Sequence, residues 1–87
     1  MNVDVSDLVA EKGEALEKLV EFLEERLGSE VRLDGDTLVV EAEITKTDLR
    51  LLLKKFLYKE RLKGDFRVIS IPEGLRVKRR KKYEETG

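Results

Sequence analysis

The clearest hydrophobic pattern lies in the second half of the chain. Five apolar residues fall within an arc of about 140° when placed at 100° per residue; they are Leu49, Leu52, Leu53, Phe56 and Leu57. This face must be buried, so the pattern predicts a helix. Thr45 and Asp48 fit a capping box at its start, and we expect the helix to run to about residue 61 or 62, before Gly64.

A second helical pattern spans about Glu14 to Leu27, and Gly28 is a suitable residue to end it. Its apolar face consists of Leu16, Leu19, Val20, Leu23 and Leu27. Five glutamates crowd the opposite face: Glu14, Glu17, Glu21, Glu24 and Glu25. Ser6 and Asp7 offer capping oxygens further upstream, but Gly13 weakens any helix that runs through it.

Alternating polar and apolar residues predict strands elsewhere. Asn2 to Ser6 fits a short edge strand, and residues 30–43 fit a β-hairpin with a type I′ turn at Asp34-Gly35. A further strand starts at Phe66 and ends at Pro72, whose turn leads into a last strand.

The order of these elements is (β)-α-β-β-α-β-β, which predicts an α/β fold of the α+β two-layer sandwich type. Two helices are expected on one face of a small, largely antiparallel sheet, with Leu23, Leu52, Leu53 and Phe56 in one core. The chain of 87 residues suits a single domain. We predict the domain over residues 1–77 and a basic, flexible tail over residues 78–87.

Charge is distributed unevenly along the chain. The formal net charge is −1, but residues 1–44 hold 13 acidic and 4 basic side chains, and residues 45–87 hold 6 acidic and 14 basic ones. The halves therefore carry −9 and +8. Such segregation indicates a polyanionic partner for the basic half, although a mixed, well-solvated surface would also account for it.

The composition argues against several classes of function. Cysteine and histidine are both absent, which removes disulfides, thiolate sites, the usual general base and the commonest metal ligand. No nucleophile–base pair or glycine-rich phosphate loop is present, and the five glutamates read as solvated surface. We expect no enzyme activity, no cofactor, no metal and no small-molecule substrate. With no apolar run near 18 residues, we expect no membrane partner and a cytoplasmic location.

The basic residues of the second half are the candidate RNA contacts. Arg50, Lys54 and Arg61 form a stripe on the second helix, and residues 76–82 are the densest basic run. The full set is Lys46, Arg50, Lys54, Lys55, Tyr58, Lys59, Arg61, Lys63, Arg67, Arg76, Lys78, Arg79, Arg80, Lys81 and Lys82. Tyr58 either stacks on bases or covers neighbouring alkyl chains. Leu51 is either buried under a loop or a contact for RNA or protein.

Several segments resemble one family. Phe22–Leu27 resembles the end of the first helix in the eukaryotic-type protein twenty-two of the large ribosomal subunit. A longer ungapped stretch, with Lys54-Lys55-Phe56-Leu57, Leu62 and Phe66-Arg67-Val68-Ile69, is similar to that family's Lys-Lys-aromatic-Leu helix and Leu-Arg-Val-Val strand. Asn2–Ser6 and Leu75-Arg76-Val77 are similar to its first and last strands, so the similarity covers most of the chain.

The resemblance implies a non-catalytic protein that binds ribosomal RNA in the large subunit, with neighbouring ribosomal proteins as further candidate partners. It assigns RNA contact to Lys46, Arg50, Lys54, Lys55 and Lys59. The family's long glycine-rich hairpin loop is shortened here, and its acidic tail is replaced by a basic run. The composition is thermophile-like, which suits an archaeal relative. The alternatives are a free-standing RNA- or DNA-binding module, or a protein–protein adaptor that docks through its acidic first helix.

Overall fold

The predicted two-layer α+β fold is confirmed by the computed structural model, which describes residues 1–80. The elements are β1 (Asn2–Asp4), α1 (Ser6–Leu27), β2 (Val31–Asp34), β3 (Thr37–Val40), α2 (Lys46–Lys59), β4 (Phe66–Ile71) and β5 (Gly74–Arg79). The strands form one sheet in the order β2-β3-β1-β5-β4. β1 runs parallel to β5, and the three other neighbouring pairs are antiparallel.

The predicted edge strand at the start of the chain is central instead. β1 pairs with β3 on one side and with β5 on the other, with Val3 opposite both Leu38 and Leu75. All three side chains are fully buried. Gly74 permits the close approach of β5 to β1, because a Cβ atom there would clash with the carbonyl oxygen of Asn2.

One core fills the space between the sheet and the two helices. Leu23, Leu53 and Phe56 are almost completely buried in it, as expected, whereas Leu52 is half-buried at its margin. The helices meet through Phe22 and Phe56, whose ring centroids are 5.7 Å apart. Both helices are therefore fixed to the same face of the sheet.

The first helix begins earlier than predicted, at Ser6 rather than near Glu14. Gly13 does coincide with a weak point, since the preceding Lys12 has non-helical angles (φ −139°, ψ 63°). The helix resumes after this kink because Leu8 and Ala15 are both buried on the same core. Gly28 ends the helix in the left-handed conformation, as predicted, with φ of 64°.

Three other boundaries differ from the sequence-based expectation. The hairpin turn consists of Gly35 and Asp36, and only Gly35 has positive φ, which fits a type II′ turn rather than type I′. β3 ends at Val40, so the alternating residues after it belong to a connection. β5 continues through Arg79, which places Lys78 and Arg79 in the sheet rather than in the predicted tail. Residues 81–87 of that tail lie outside the described residues.

Candidate nucleic-acid interface

The outer face of α2 carries the predicted basic stripe. Thr45 caps the helix by accepting the N–H of Asp48 on its Oγ1 atom at 3.1 Å, as the capping box predicted. Because the buried positions of the helix face the core, Arg50, Lys54 and Lys55 are held in solvent on the opposite side. The stripe is therefore attached to a rigid element.

A groove of about 720 Å³ runs between α2 and β4. Phe66 and Val68 of β4 point into the core, and Arg67 and Ile69 point to the other face of the sheet, yet all four line the groove. Successive residues of a strand meet in one depression only along the edge of that strand. β4 is the outer strand of the sheet, so the groove follows its free edge.

The lining of the groove combines an apolar floor with a cationic rim. The floor consists of Leu51, Leu57, Phe66, Val68 and Ile69. The rim consists of Arg50, Lys54, Lys55, Lys63, Arg67 and Arg80, with Tyr58 beside them. Seven of the residues predicted to contact RNA thus meet in one place, although they come from α2, the connection after it, β4 and the end of β5.

Within residues 1–80, no carboxylate forms an ion pair with the rim cations. Among the described residues that line the groove there is no aspartate or glutamate. Within residues 1–80, the ion pairs of the chain involve Lys18, Arg32, Arg76 and Arg79, none of which belongs to the rim. The groove therefore presents six positively charged side chains to a partner.

The free edge of β4 adds backbone polar groups, at Val68 within the groove and at Ser70 just beyond its lining. Arg80 N donates to Asp65 O at 2.7 Å, and the register then places Arg67, Ile69 and Ile71 on the side bonded to β5. The N–H and C=O groups of Val68 and Ser70 consequently point away from β5. Residues 1–80 supply no hydrogen-bond partner for these backbone groups.

The predicted cations after α2 lie at a Schellman-type helix end. Leu62 N donates to Leu57 O at 2.7 Å, and Arg61 N donates to Tyr58 O at 3.1 Å. Arg61 is left-handed, with φ of 59°, at the position where glycine is the usual residue. A shallow depression of about 490 Å³ here is lined by Tyr58, Lys59, Arg61, Lys63 and Gly64. Lys59 and Arg61 therefore extend the basic surface beyond the groove.

Arg80 is the one residue of the basic run that reaches the groove within residues 1–80. Its Nε atom donates to the carbonyl oxygens of Lys63 and Phe66, at 3.0 and 3.2 Å. These bonds fix the guanidinium at one end of the groove. The predicted contacts Lys81 and Lys82 lie outside the described residues.

Lys46 lies at the other end of β4 and is not part of the groove lining. Its Nζ atom donates to Ser70 Oγ and to Ile71 O, both at 3.1 Å. The side chain ties the start of α2 to β4, so we assign it a structural role first.

Arg76 and Arg79 face the first helix rather than the groove. Arg76 lies 3.4 Å from a carboxylate oxygen of Asp7, and its buried Nε has no hydrogen-bond partner within residues 1–80. Arg79 pairs with Glu11 at 2.8 Å. Lys78 is half-buried on the sheet and does not line the groove. The basic run is thus divided, because two of its four described cations, Arg76 and Arg79, pair with acidic residues of α1.

The apolar floor was not predicted from the sequence. Phe66 and Val68 were expected only as strand residues, and burial of Leu51 under a loop was one alternative. In the structure Leu51 is 51% exposed. Its position among Arg50, Lys54 and Tyr58 on a helix was the available signal, because an apolar residue on a charged face has no core to fill.

The fold and site together define a two-layer α+β protein with a cationic groove along one sheet edge. The sequence matches no protein-family model, and comparison with curated proteins gives no match. No helix within residues 1–80 is long and apolar enough to cross a membrane.

Proposed function

We propose that the protein binds RNA through the groove between α2 and β4. The observation that carries the proposal is the groove's rim, where the described residues supply six cations and no carboxylate. Lys and Arg side chains on a rigid helix can neutralise consecutive phosphates and release condensed counterions. Lys59 and Arg61 lengthen this surface at the end of α2.

The acidic face of α1 supports the same orientation. Glu14, Glu17, Glu21 and Glu25 are exposed there, and they would repel a phosphate backbone. RNA is therefore steered to the α2 side, which carries the opposite charge.

Within this proposal, the large ribosomal subunit is the setting implied by the resemblance of the helix and strand around Phe56 and Phe66. The protein would then be a structural, non-catalytic component that contacts ribosomal RNA. Sedimentation of tagged protein from a native lysate tests the setting. Co-migration with the large subunit is expected, and migration as a free protein would favour a free-standing RNA-binding module.

Charge reversal tests the RNA-binding surface. The variant Arg50→Glu/Lys54→Glu/Lys55→Glu should lose binding to a folded rRNA fragment, with unchanged circular dichroism because all three residues are exposed. A matched control reverses three exposed cations of α1, Lys12, Lys18 and Arg26, and changes the net charge equally. The control should retain most of the affinity. Equal losses in both variants would contradict a localised site.

Salt dependence measures the number of phosphate contacts. Six contacts predict a slope of log K against log salt of about −4 to −5, and the triple variant should flatten it by about 2 to 3. Truncation after residue 80 tests the contribution of Lys81 and Lys82. A slope near zero for the full chain would reject phosphate contact altogether.

A further inference from the structure

Phosphate binding does not account for the floor of the groove. Leu51 and Tyr58 are 51% and 72% exposed, and they lie on one face of α2. Seven residues separate them, or about 10 Å along the helix axis. Lys63 Nζ lies over the Tyr58 ring at 5.6 Å from its centroid, and the exposure of the ring leaves aromatic surface for a second partner. Apolar and aromatic surface between cations is suited to the flat faces of nucleobases.

The free edge of β4 supplies the second element of a base site. Val68 and Ser70 each direct one N–H donor and one C=O acceptor away from the sheet. A phosphate group offers only acceptors, so it cannot satisfy the two carbonyl groups. Nucleobase edges carry both donors and acceptors, and they can therefore complement both kinds of backbone group.

Charge and shape favour a single strand over a double helix. Cations lie on both sides of the groove: Arg50, Lys54 and Lys55 on α2, and Arg67 on β4. A strand that follows the groove would be neutralised from both sides. In a duplex the base faces are stacked inside the helix and cannot reach an apolar floor.

We infer that the groove receives unpaired nucleotides, whose bases contact Leu51 and Tyr58 and whose edges bond to the backbone of Val68 in the groove and of Ser70, the next outward-facing residue along the same strand edge. This inference rests on the proposed RNA-binding function and deepens it. The volume of about 720 Å³ lies within the range of ligand pockets. The rim then holds the flanking phosphates, and the floor distinguishes unpaired from paired RNA.

The test compares a short RNA hairpin that carries 2-aminopurine in its loop with a fully paired RNA duplex of equal phosphate number. Affinity is measured by fluorescence anisotropy at matched salt with the full chain. We expect the hairpin to bind about tenfold more tightly, which corresponds to one stacked base. The 2-aminopurine fluorescence should fall on binding, because stacking quenches it.

Two leucines of similar exposure provide a matched pair of variants. Leu51→Ser should reduce the preference for the hairpin, whereas Leu33→Ser, on β2 at 48% exposure, should not. Tyr58→Ala should reduce the preference by about tenfold. Neither Leu51→Ser nor Tyr58→Ala should change the salt dependence of binding, since no cation is removed. An effect of Leu33→Ser equal to that of Leu51→Ser would overturn the inference.

Amide hydrogen exchange gives a readout independent of affinity. Exchange at Val68 and Ser70 should slow when the hairpin binds and stay unchanged with the duplex. Equal affinity for hairpin and duplex, without protection of these amides, would overturn the base site while leaving RNA binding intact. Failure to bind either RNA, with capture of a labelled peptide of alternating valine and glutamate, would overturn both proposals in favour of a strand-shaped protein partner.

Discussion

The two outer strands of the sheet lie beneath different helices, which treat the strand edges differently. At the β2 edge, a carboxylate oxygen of Glu24 in α1 accepts the Val31 N–H at 3.0 Å. At the β4 edge, α2 leaves the amides of Val68 and Ser70 without a hydrogen-bond partner in residues 1–80. A side chain of α1 thus occupies one backbone donor at the β2 edge, whereas α2 borders a groove at the β4 edge.

The ionised side chains of the two regions also have different roles. Near α1, carboxylates bond to the backbone: Asp4 accepts the Ser6 N–H at 3.0 Å, and Asp7 accepts the Arg79 N–H at 3.0 Å. Near α2, most rim cations bond to nothing in residues 1–80. The same sheet therefore has ionised side chains that hold the backbone near α1, and ionised side chains near α2 that can bind a partner. Function therefore follows from the site rather than from the fold.

The largest effect is expected when a buried leucine of either helix is shortened, and it tests whether the two regions share one core. Leu19 of α1 and Leu53 of α2 are both fully buried, so Leu19→Ala and Leu53→Ala should each lower the free energy of unfolding by about 2–5 kcal/mol. Denaturant titration with a single transition is the measurement. Separate transitions for the two halves would show two independent units.

The next effect concerns the β2 edge. Glu24→Ala should destabilise the protein by about 1–3 kcal/mol, because it leaves the Val31 N–H without its charged acceptor. Glu25→Ala, at the exposed neighbouring position, should stay within about 0.5 kcal/mol. Thermal or urea unfolding of the Glu24→Ala and Glu25→Ala variants measures this difference in stability. Equal stability of both variants would mean that Glu24 does not stabilise the β2 edge.

A smaller effect on stability is expected at the residues that end the two helices. α1 ends at a left-handed Gly28, and α2 ends with a left-handed Arg61. Because a side chain disfavours this conformation by about 1–2 kcal/mol, Arg61→Gly should raise stability and Gly28→Arg should lower it. We expect Arg61→Gly to weaken RNA binding at the same time. A gain in stability without loss of affinity would remove Arg61 from the RNA-binding surface.

The smallest effect concerns acid stability. Hydrogen bonding from the Ser6 backbone, opposed in part by burial and helped by the Ser6 hydroxyl and Arg76, holds the pKa of Asp4 below its usual 3.8. Because the pKa is lowered in the folded state, the ionised Asp4 carboxylate stabilises the protein above about pH 4. This stabilisation is lost as the pH falls through the folded-state pKa. The stability difference between the native chain and Asp4→Asn should therefore shrink as the pH falls below the usual 3.8 and through the lower folded value. A difference independent of pH would exclude the ionised carboxylate as its source.

Local patterns were sufficient to predict most elements. Both helix faces, the cap at Thr45, the end at Gly28 and the strand from Phe66 follow from spacing and residue type. The start of α1 was missed because Gly13 masks a helical turn that only burial of Leu8 stabilises. The turn type was missed because the strand register, rather than the Asp-Gly pair, decides which residues form it.

The site was predictable in part. Its cations were identified from charge alone, but their division between the groove and α1 was not, since Arg79 and Arg80 are adjacent in sequence and diverge in space. The floor depends on the distance between α2 and β4, which no local pattern encodes. The central place of β1 depends likewise on pairing between Asn2 and Gly74.

That pairing has a consequence for synthesis of the protein. β1 is made first and β5 last among the elements of residues 1–80, yet they are neighbours at the centre of the sheet. Until Leu75 and Val77 have been translated, Val3 can pair with Leu38 but not with β5, and the core is incomplete. Closing so long a loop is costly before its contacts form. We therefore expect the fold to be completed late, after β5 has been translated and can pair with β1.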